Sequence, residues 1–135
     1  MLERKEFGFF NGYKVWLFTI TNKNGASVTL TNFAGAVVNL LMPDKNGKLD
    51  DIVLGYDNID GYIAGDSSHG ALVGRYANRI ANAQFELNGA VYKLFANENT
   101  NTLHGGMVGF NKRVWTIEDT TINTSGYVIV RGNRF

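Results

Sequence analysis

The chain contains no cysteine among its 135 residues. A protein without cysteine has no disulfide, no thiolate metal ligand and no cysteine nucleophile. The sequence also has only two histidines, His69 and His104, and a single proline, Pro43. Chemistry based on imidazole therefore depends on two positions in the chain.

An excess of charge of one sign and long apolar runs are also missing. Thirteen basic residues face twelve acidic residues, and no basic block stands out, which argues against a nucleic-acid partner. The first residues, "MLERKEFGFF", mix charges into apolar positions, unlike a signal peptide, and no run of membrane-spanning length follows. We expect a cytoplasmic protein that contacts neither membrane nor nucleic acid.

Glycine and apolar residues, by contrast, are abundant. The 44% hydrophobic content suffices for one core, which predicts a single domain over residues 1–135. Asn and Gly tolerate the positive φ that tight hairpin turns require. Four Asn-Gly pairs therefore predict turns, at Asn11-Gly12, Asn24-Gly25, Asn46-Gly47 and Asn88-Gly89.

The segments between these turns have strand patterns. In "ASVTLTNF" apolar and polar residues alternate, as in a half-buried strand. "YKVWLFTI" and "AVVNLLM" are apolar on both sides, which is typical of strands covered on both faces. "QFELNGAVYKLF" predicts a hairpin with strands at 84–87 and 90–95. Only "IDGYIAG" suggests a short turn of helix, so the predicted fold class is all-β, an antiparallel β-sandwich.

The stretch "GRYANRI" contains two arginines four positions apart. Strand alternation would place Arg75 and Arg79 on one face, whereas a bulge or turn would bring Asn78 and Arg79 together. Arginine only donates hydrogen bonds, and asparagine both donates and accepts them. Such a pair suits a neutral ligand with many hydroxyls. The alternative is two solvated arginines beside a strand.

The second candidate stretch is "NTLHGG", which contains His104. Imidazole exchanges protons near neutral pH and hydrogen-bonds ligand oxygens, and the two glycines leave space for a ligand to approach. The alternative is a polar residue that satisfies a glycine-rich turn. His69, in "DSSHG", is interpreted as solvated. The spacing of the histidines matches no metal-binding pattern, so we predict no metal site. Trp115 is either a platform for a sugar or part of the packing of a sheet.

Four motifs in order, "GRYANRI", a hairpin, "NTLHGG" and "GFNKRVW", resemble the N-terminal half of aldose 1-epimerases, or galactose mutarotases. "NFAGAVVNLLMPDKNGKLDDIVLGYDN" is similar to earlier strands of the same family. The resemblance implies a sandwich of antiparallel strands with a sugar site on a concave face. It also implies interconversion of the α and β anomers of an aldohexose such as galactose or glucose, without metal or organic cofactor.

Residue by residue, the resemblance implies a sugar site in this chain. Asn78 and Arg79 match the substrate-binding Asn-Arg of the family. His104 matches its first active-site histidine, which hydrogen-bonds the sugar near the ring oxygen and assists proton transfer. Arg75 resembles a structural partner, and His69 stands where relatives usually have an aromatic residue.

The family's other catalytic groups lie downstream. They are a second histidine, the principal acid, a glutamate, the base, and an aspartate that binds hydroxyls. The chain ends before them, and "NTSGYVIVRGNRF" does not resemble the family continuation. We therefore expect a truncated member with at most weak activity alone, and self-association through an unpaired strand edge near 127–130. The alternatives are a carbohydrate-binding module without turnover and a half-sandwich completed by another chain.

Overall fold

A five-stranded antiparallel sheet forms the first part of the protein. The computed structural model describes residues 1–122 and 128–133. The sheet has the order β1-β2-β3-β4-β5, so each strand pairs with its neighbour in sequence. Its strands are β1 (Leu2–Phe10), β2 (Tyr13–Thr21), β3 (Ser27–Thr31), β4 (Val37–Pro43) and β5 (Leu49–Asp51).

One short helix and three two-stranded sheets follow. They comprise α1 (Ile59–Ala64), β6 (Arg79–Ile80), β7 (Gln84–Leu87), β8 (Ala90–Lys93), β9 (Thr102–Leu103), β10 (Thr116–Ile122) and β11 (Val128–Asn133). Strand β6 pairs with β9, β7 with β8 and β10 with β11, all antiparallel. Single turns of 3₁₀ helix lie at Ala81–Ala83, Gly106–Val108 and Phe110–Lys112. The prediction of an antiparallel all-β fold is confirmed. Within the described ranges, no helix has the length and apolarity needed to cross a membrane.

All four predicted Asn-Gly turns connect paired antiparallel strands. At the turn between β7 and β8, Asn88 has φ 53° and Gly89 has φ 77°, values that Asn and Gly adopt at low cost. The other three turns join β1 to β2, β2 to β3 and β4 to β5. The predicted hairpin is confirmed, although its second strand ends at Lys93 rather than at residue 95.

The core lies between the five-stranded sheet and α1. Val15 and Phe33 are fully buried, and Ile59 and Tyr62 of α1 complete the cluster with three small side chains. The Phe10 and Phe33 rings meet edge to face with centroids 4.9 Å apart. Full burial of a side chain such as Val15 or Phe33 contributes about 1.5–3 kcal/mol. The burial of Ile59 and Tyr62 in this cluster holds the helix against the sheet.

Strand β3 alternates as predicted, but its threonine side is the more buried one. Thr29 and Thr31 face the core, whereas Val28 and Leu30 are half-buried on the opposite side. The hydroxyls are satisfied, because Thr29 Oγ1 lies 3.0 Å from Thr19 Oγ1 and Thr31 Oγ1 accepts a bond from a backbone N–H. The expectation that β4 is covered on both faces is wrong, since Met42 is exposed.

Helix α1 is held at both ends by side chains. At its start, Oδ1 of Asn58 accepts a hydrogen bond from the Gly61 N–H over 2.9 Å, which is the usual capping contact. At its end, Nζ of Lys112 donates to the carbonyls of Tyr62, Ile63 and Gly65 over 2.8–3.0 Å. The lysine of "GFNKRVW" thus satisfies carbonyls that the last turn of a helix leaves without partners.

The predicted unpaired strand near the end of the chain is partly outside the described residues, because Tyr127 belongs to the segment 123–127. Val128 to Val130 belong to β11, and they pair with Ile122, Thr121 and Thr120 of β10. These three positions are therefore paired on one side, and the predicted self-association through a strand edge there stays a prediction. Within the part of the chain that the structure describes, β10 and β11 form a sheet of two strands, so each has one strand neighbour.

Candidate functional site

A ladder of two residue pairs brings the two candidate stretches together. Arg79 of β6 faces Leu103 of β9, and Ile80 faces Thr102. The Asn97 side chain supports the ladder from the other side, because it accepts from the Leu103 N–H at 2.7 Å and donates to the Leu103 carbonyl at 2.9 Å. The interpretation of all of "GRYANRI" as a strand is wrong, since only Arg79 and Ile80 are extended in a sheet.

Asn78 and His104 extend this ladder with a side-chain contact. Both residues have left-handed backbone conformations, with φ 63° and 52°. The His104 N–H donates to the Asn78 carbonyl over 3.0 Å, and the Asn78 N–H donates to Nδ1 of His104 over 2.9 Å. A nitrogen that accepts a hydrogen bond is unprotonated. The neutral His104 ring therefore carries its proton on Nε2, where it is available to a ligand oxygen.

Arg79 is oriented by two neighbours. Its Nε donates to Oε2 of Glu98 over 2.6 Å, its Nη2 makes a very close ion pair with Oε1 of Glu98, and its Nη1 donates to Oδ1 of Asn78 over 3.2 Å. The bonds with Arg79 lower the pKa of the Glu98 carboxyl, and they raise the pKa of the Arg79 guanidinium. The side chains of Asn78 and Arg79 are thus in contact, as the alternative of a bulge or turn in "GRYANRI" predicts.

Gly105 allows two backbone segments to come into contact. It has φ +95°. A Cβ at this position would lie 2.8 Å from the carbonyl carbon of Gly74 and would collide with that carbonyl group. The loop that begins "GRYAN" and the turn that begins "HGG" pack against each other at this point. The glycine next to His104 is therefore required for packing, and not only for the approach of a ligand.

The remaining candidate residues have structural contacts. The Arg75 guanidinium lies 5.8 Å from the centroid of the Phe110 ring. The Trp115 ring meets the same Phe110 ring edge to face at 5.0 Å, and Nδ2 of Asn32 donates to the Trp115 carbonyl over 3.1 Å. These contacts favour packing roles for Arg75 and Trp115.

His69 is more enclosed than the sequence interpretation had it. It is half-buried, and its ring centroid lies 5.5 Å from that of Tyr56. Over the described residues, no three His, Asp or Glu side chains are grouped so as to hold a metal ion.

Comparison with known proteins identifies the family. The sequence model for the family described as Aldose 1-epimerase matches residues 17–132. The chain belongs to the aldose 1-epimerase family. It is 43% identical over 119 residues to an aldose 1-epimerase from Haemophilus influenzae, covering 88% of this chain and 34% of that protein. It is also 43% identical over 89 residues to a galactose mutarotase from Bos taurus, covering 66% of this chain and 26% of that protein.

Solved structures of aldose 1-epimerase relatives have the same fold. A crystal structure of an aldose epimerase homologue from C. elegans matches with a TM-score of 0.73 and 39% identity, over 78% of this chain and 32% of that one. A galactose 1-epimerase from Lactobacillus acidophilus matches with a TM-score of 0.77 and 21% identity, over 87% and 34%. The chain has the fold of galactose epimerases, and it spans about a third of the length of these relatives.

The structure brings Asn78, Arg79 and His104 together, and their role in sugar binding stays a prediction. The sequence analysis missed Glu98, which holds Arg79, and Asn97, which holds the residue before His104. Both lie in the polar segment "ANENTN". The only signal there is one acidic residue among asparagines a few positions before the histidine, and such segments are also typical of ordinary loops.

Proposed function

We propose that this chain carries the part of an aldose 1-epimerase site that binds an aldohexose, such as galactose or glucose. Asn78 and Arg79 hydrogen-bond the sugar hydroxyls, and Nε2–H of His104 donates toward the ring oxygen. The observation that supports this assignment best is the bond from the Asn78 N–H to Nδ1 of His104. It couples the hydroxyl-binding residue to the histidine and leaves a donor nitrogen at the other side of the ring.

The reaction proposed for this site exchanges two anomers through an open chain. A base removes the proton from the C1 hydroxyl, the C1–O5 bond breaks as C1 becomes an aldehyde carbon, and O5 takes up a proton. Rotation about the C1–C2 bond presents the other face of the aldehyde. O5 then adds back to C1, while the proton on O5 leaves and the C1 oxygen regains one.

His104 fits the proton-donating side of this reaction. With Nδ1 accepting from the Asn78 backbone, the neutral ring has its proton on Nε2, and we assign this N–H as the donor to O5. The resemblance assigns the base and the principal acid to positions that relatives have further along their chains. A positioned acid or base contributes about 10²–10⁴-fold in rate. We therefore propose that these 135 residues bind the sugar and accelerate anomer exchange weakly.

Two measurements on the purified chain test this proposal. Saturation-transfer NMR with galactose measures binding, and polarimetry of freshly dissolved α-galactose measures anomer exchange. We expect binding that His104→Gln abolishes and that the control His69→Gln preserves, because His69 packs against Tyr56 outside the site. We also expect a small acceleration proportional to protein concentration.

The other outcomes of these measurements are equally informative. Absence of galactose and glucose binding by a folded chain contradicts the proposed site. Binding without acceleration instead favours a carbohydrate-binding module. A large acceleration abolished by His104→Ala contradicts the weak activity and indicates a complete site assembled between chains.

We further propose that the chain self-associates. The sheet face opposite the core carries apolar side chains that are cross-strand neighbours, because Ile20 faces Val28 and Val28 faces Leu40. These residues line an open groove together with Met42, which is exposed. An open groove lined by apolar side chains favours contact with another chain.

Light scattering tests self-association. We expect the average mass to rise with protein concentration, and Val28→Lys to reduce the rise. A constant monomer mass at high concentration contradicts this proposal.

A further inference from the structure

We propose that Glu98 makes this site select neutral sugars over anionic ones, because it holds the Arg79 guanidinium in place and cancels its charge. The inference rests on the proposed sugar-binding function. Its physical basis is the paired geometry of the two side chains. Nε and Nη2 of Arg79 face the two oxygens of the Glu98 carboxylate. Two parallel contacts fix the plane of the guanidinium as well as its position.

The loop that carries Glu98 is itself fixed. The Glu98 N–H donates to the Asn101 carbonyl over 3.1 Å, and the Asn101 N–H donates to the Glu98 carbonyl over 2.8 Å. Asn97 is bonded to both backbone groups of Leu103. The carboxylate therefore starts from a rigid backbone, which reduces the entropy lost when it orients Arg79.

The hydrogen bonds of Arg79 leave donors for a ligand. A guanidinium has five N–H groups. Among the described residues, Arg79 uses three of them, on Nε and Nη2 toward Glu98 and on Nη1 toward Asn78. One N–H on each terminal nitrogen remains. Two donors on adjacent nitrogens match two neighbouring sugar oxygens.

The net charge of the Arg79–Glu98 pair determines which ligands bind to these N–H groups. An unpaired arginine attracts carboxylates and phosphates strongly. Glu98 places one negative charge directly against Arg79, so a ligand carboxylate at the remaining donors meets the repulsion of a second carboxylate. A hydroxyl has no net charge and is not repelled. The Arg79–Glu98 pair therefore keeps the hydrogen bonds that a neutral sugar needs and removes the attraction for an anion.

The test compares Glu98→Gln with wild type and with the control Glu3→Gln. The control changes net charge equally, at an exposed position of β1. D-galactose and D-galacturonate differ by an anionic carboxylate on one carbon, and NMR titration of the purified chain gives both dissociation constants. We expect Glu98→Gln to weaken galactose binding and strengthen galacturonate binding, which lowers the preference for galactose about fivefold or more. We expect Glu3→Gln to change it less than twofold.

A second readout needs no ligand. Because Glu98 accepts from the Arg79 Nε–H, we expect this proton to exchange slowly with water in wild type, and we expect Glu98→Gln to speed up the exchange and broaden its resonance. A galactose preference that stays within twofold of wild type in Glu98→Gln, with galactose still bound, overturns this inference alone. An unchanged Arg79 resonance also overturns it. If wild type binds neither sugar, both the proposed function and the proposed selectivity are overturned. Broadening of the Arg79 resonance in Glu98→Gln would even then show that Glu98 positions Arg79.

Discussion

Nδ1 of His104 accepts a hydrogen bond from the backbone N–H of Asn78 over 2.9 Å, across 26 positions of sequence. The same two residues are joined by a second bond, from the His104 N–H to the Asn78 carbonyl. The imidazole is thus fixed to the backbone of the residue that precedes Arg79. A histidine held in this way has one defined neutral tautomer, and that tautomer determines which nitrogen donates.

The first prediction concerns the tautomer of His104. At a pH where the ring is neutral, we expect the proton on Nε2, because Nδ1 is occupied as an acceptor. Long-range ¹H–¹⁵N NMR spectra distinguish the two nitrogens, and the ring of His69 in the same spectra provides the comparison. A protonated Nδ1 in neutral His104 would contradict the assignment of its hydrogen bond.

The second prediction concerns Gly105→Ala. We expect a loss of about 3 kcal/mol or more in the free energy of unfolding, because the new Cβ would collide with the Gly74 carbonyl at a strained φ of +95°. The matched control is Gly12→Ala, at φ +80° with open space around the glycine. It should lose only about 1–2 kcal/mol. Urea unfolding measures both values, and equal losses would argue against close packing at Gly105.

The third prediction concerns Lys112→Met. Its ammonium donates to three carbonyls around the end of α1. Methionine keeps much of the length of the side chain but removes these bonds, so we expect a loss of about 3 kcal/mol in the free energy of unfolding. Lys23→Met, at an exposed position, should change it by less than about 0.5 kcal/mol. Denaturant unfolding checks both variants. A loss at Lys112 no larger than at Lys23 would show that these bonds add little.

The fourth prediction concerns acid stability. Hydrogen bonds with Arg79 lower the pKa of Glu98 in the folded protein. When the pKa of a carboxyl is lower in the folded protein than in the unfolded chain, where it is about 4.3, the ionised carboxyl stabilises the fold at higher pH. This stabilisation is lost as the pH falls through the pKa of the folded protein. We expect Glu98→Gln to lower Tm at pH 7 and to show a smaller further drop below about pH 4 than wild type.

The contribution of Glu98 is separable from that of Asp51, whose pKa is lowered chiefly by a hydrogen bond from Asn39. Asp51 remains in both proteins and contributes equally to their acid-induced losses. Thermal melts at several pH values measure the difference between the two curves. Parallel curves for wild type and Glu98→Gln would refute a stabilising role for the ion pair.

Local signals in the sequence predicted the turns of the fold better than its buried surfaces. Each Asn-Gly turn depends on two adjacent residues, and "IDGYIAG" folds into the helix that its own residues suggest. Which side of a strand is buried depends on what covers it. Thr29 and Thr31 are buried, and the Thr31 hydroxyl accepts a hydrogen bond from the Phe33 N–H outside the strand, but no alternation within β3 contains that information.

The sequence predicted the main residues of the candidate site but not the contacts between them. The resemblance pointed to Asn78, Arg79 and His104, but the contact between Asn78 and His104 depends on a left-handed backbone at both residues, which few sequence patterns specify. Glu98 was not predictable. Its pairing with Arg79 spans 19 positions, and an acidic residue in a polar loop gives no indication of a distant partner.

The hairpin of β7 and β8 has a consequence for the rate at which the site assembles. It lies within the segment that separates Asn78 from His104, and its ends, Gln84 and Lys93, are direct strand partners. A hairpin forms in about 1–10 μs. Once it has formed, only short connections remain to be closed, which lowers the entropic barrier to joining Asn78 and His104. Changes in the Asn88-Gly89 turn should therefore slow the formation of a contact that they do not touch.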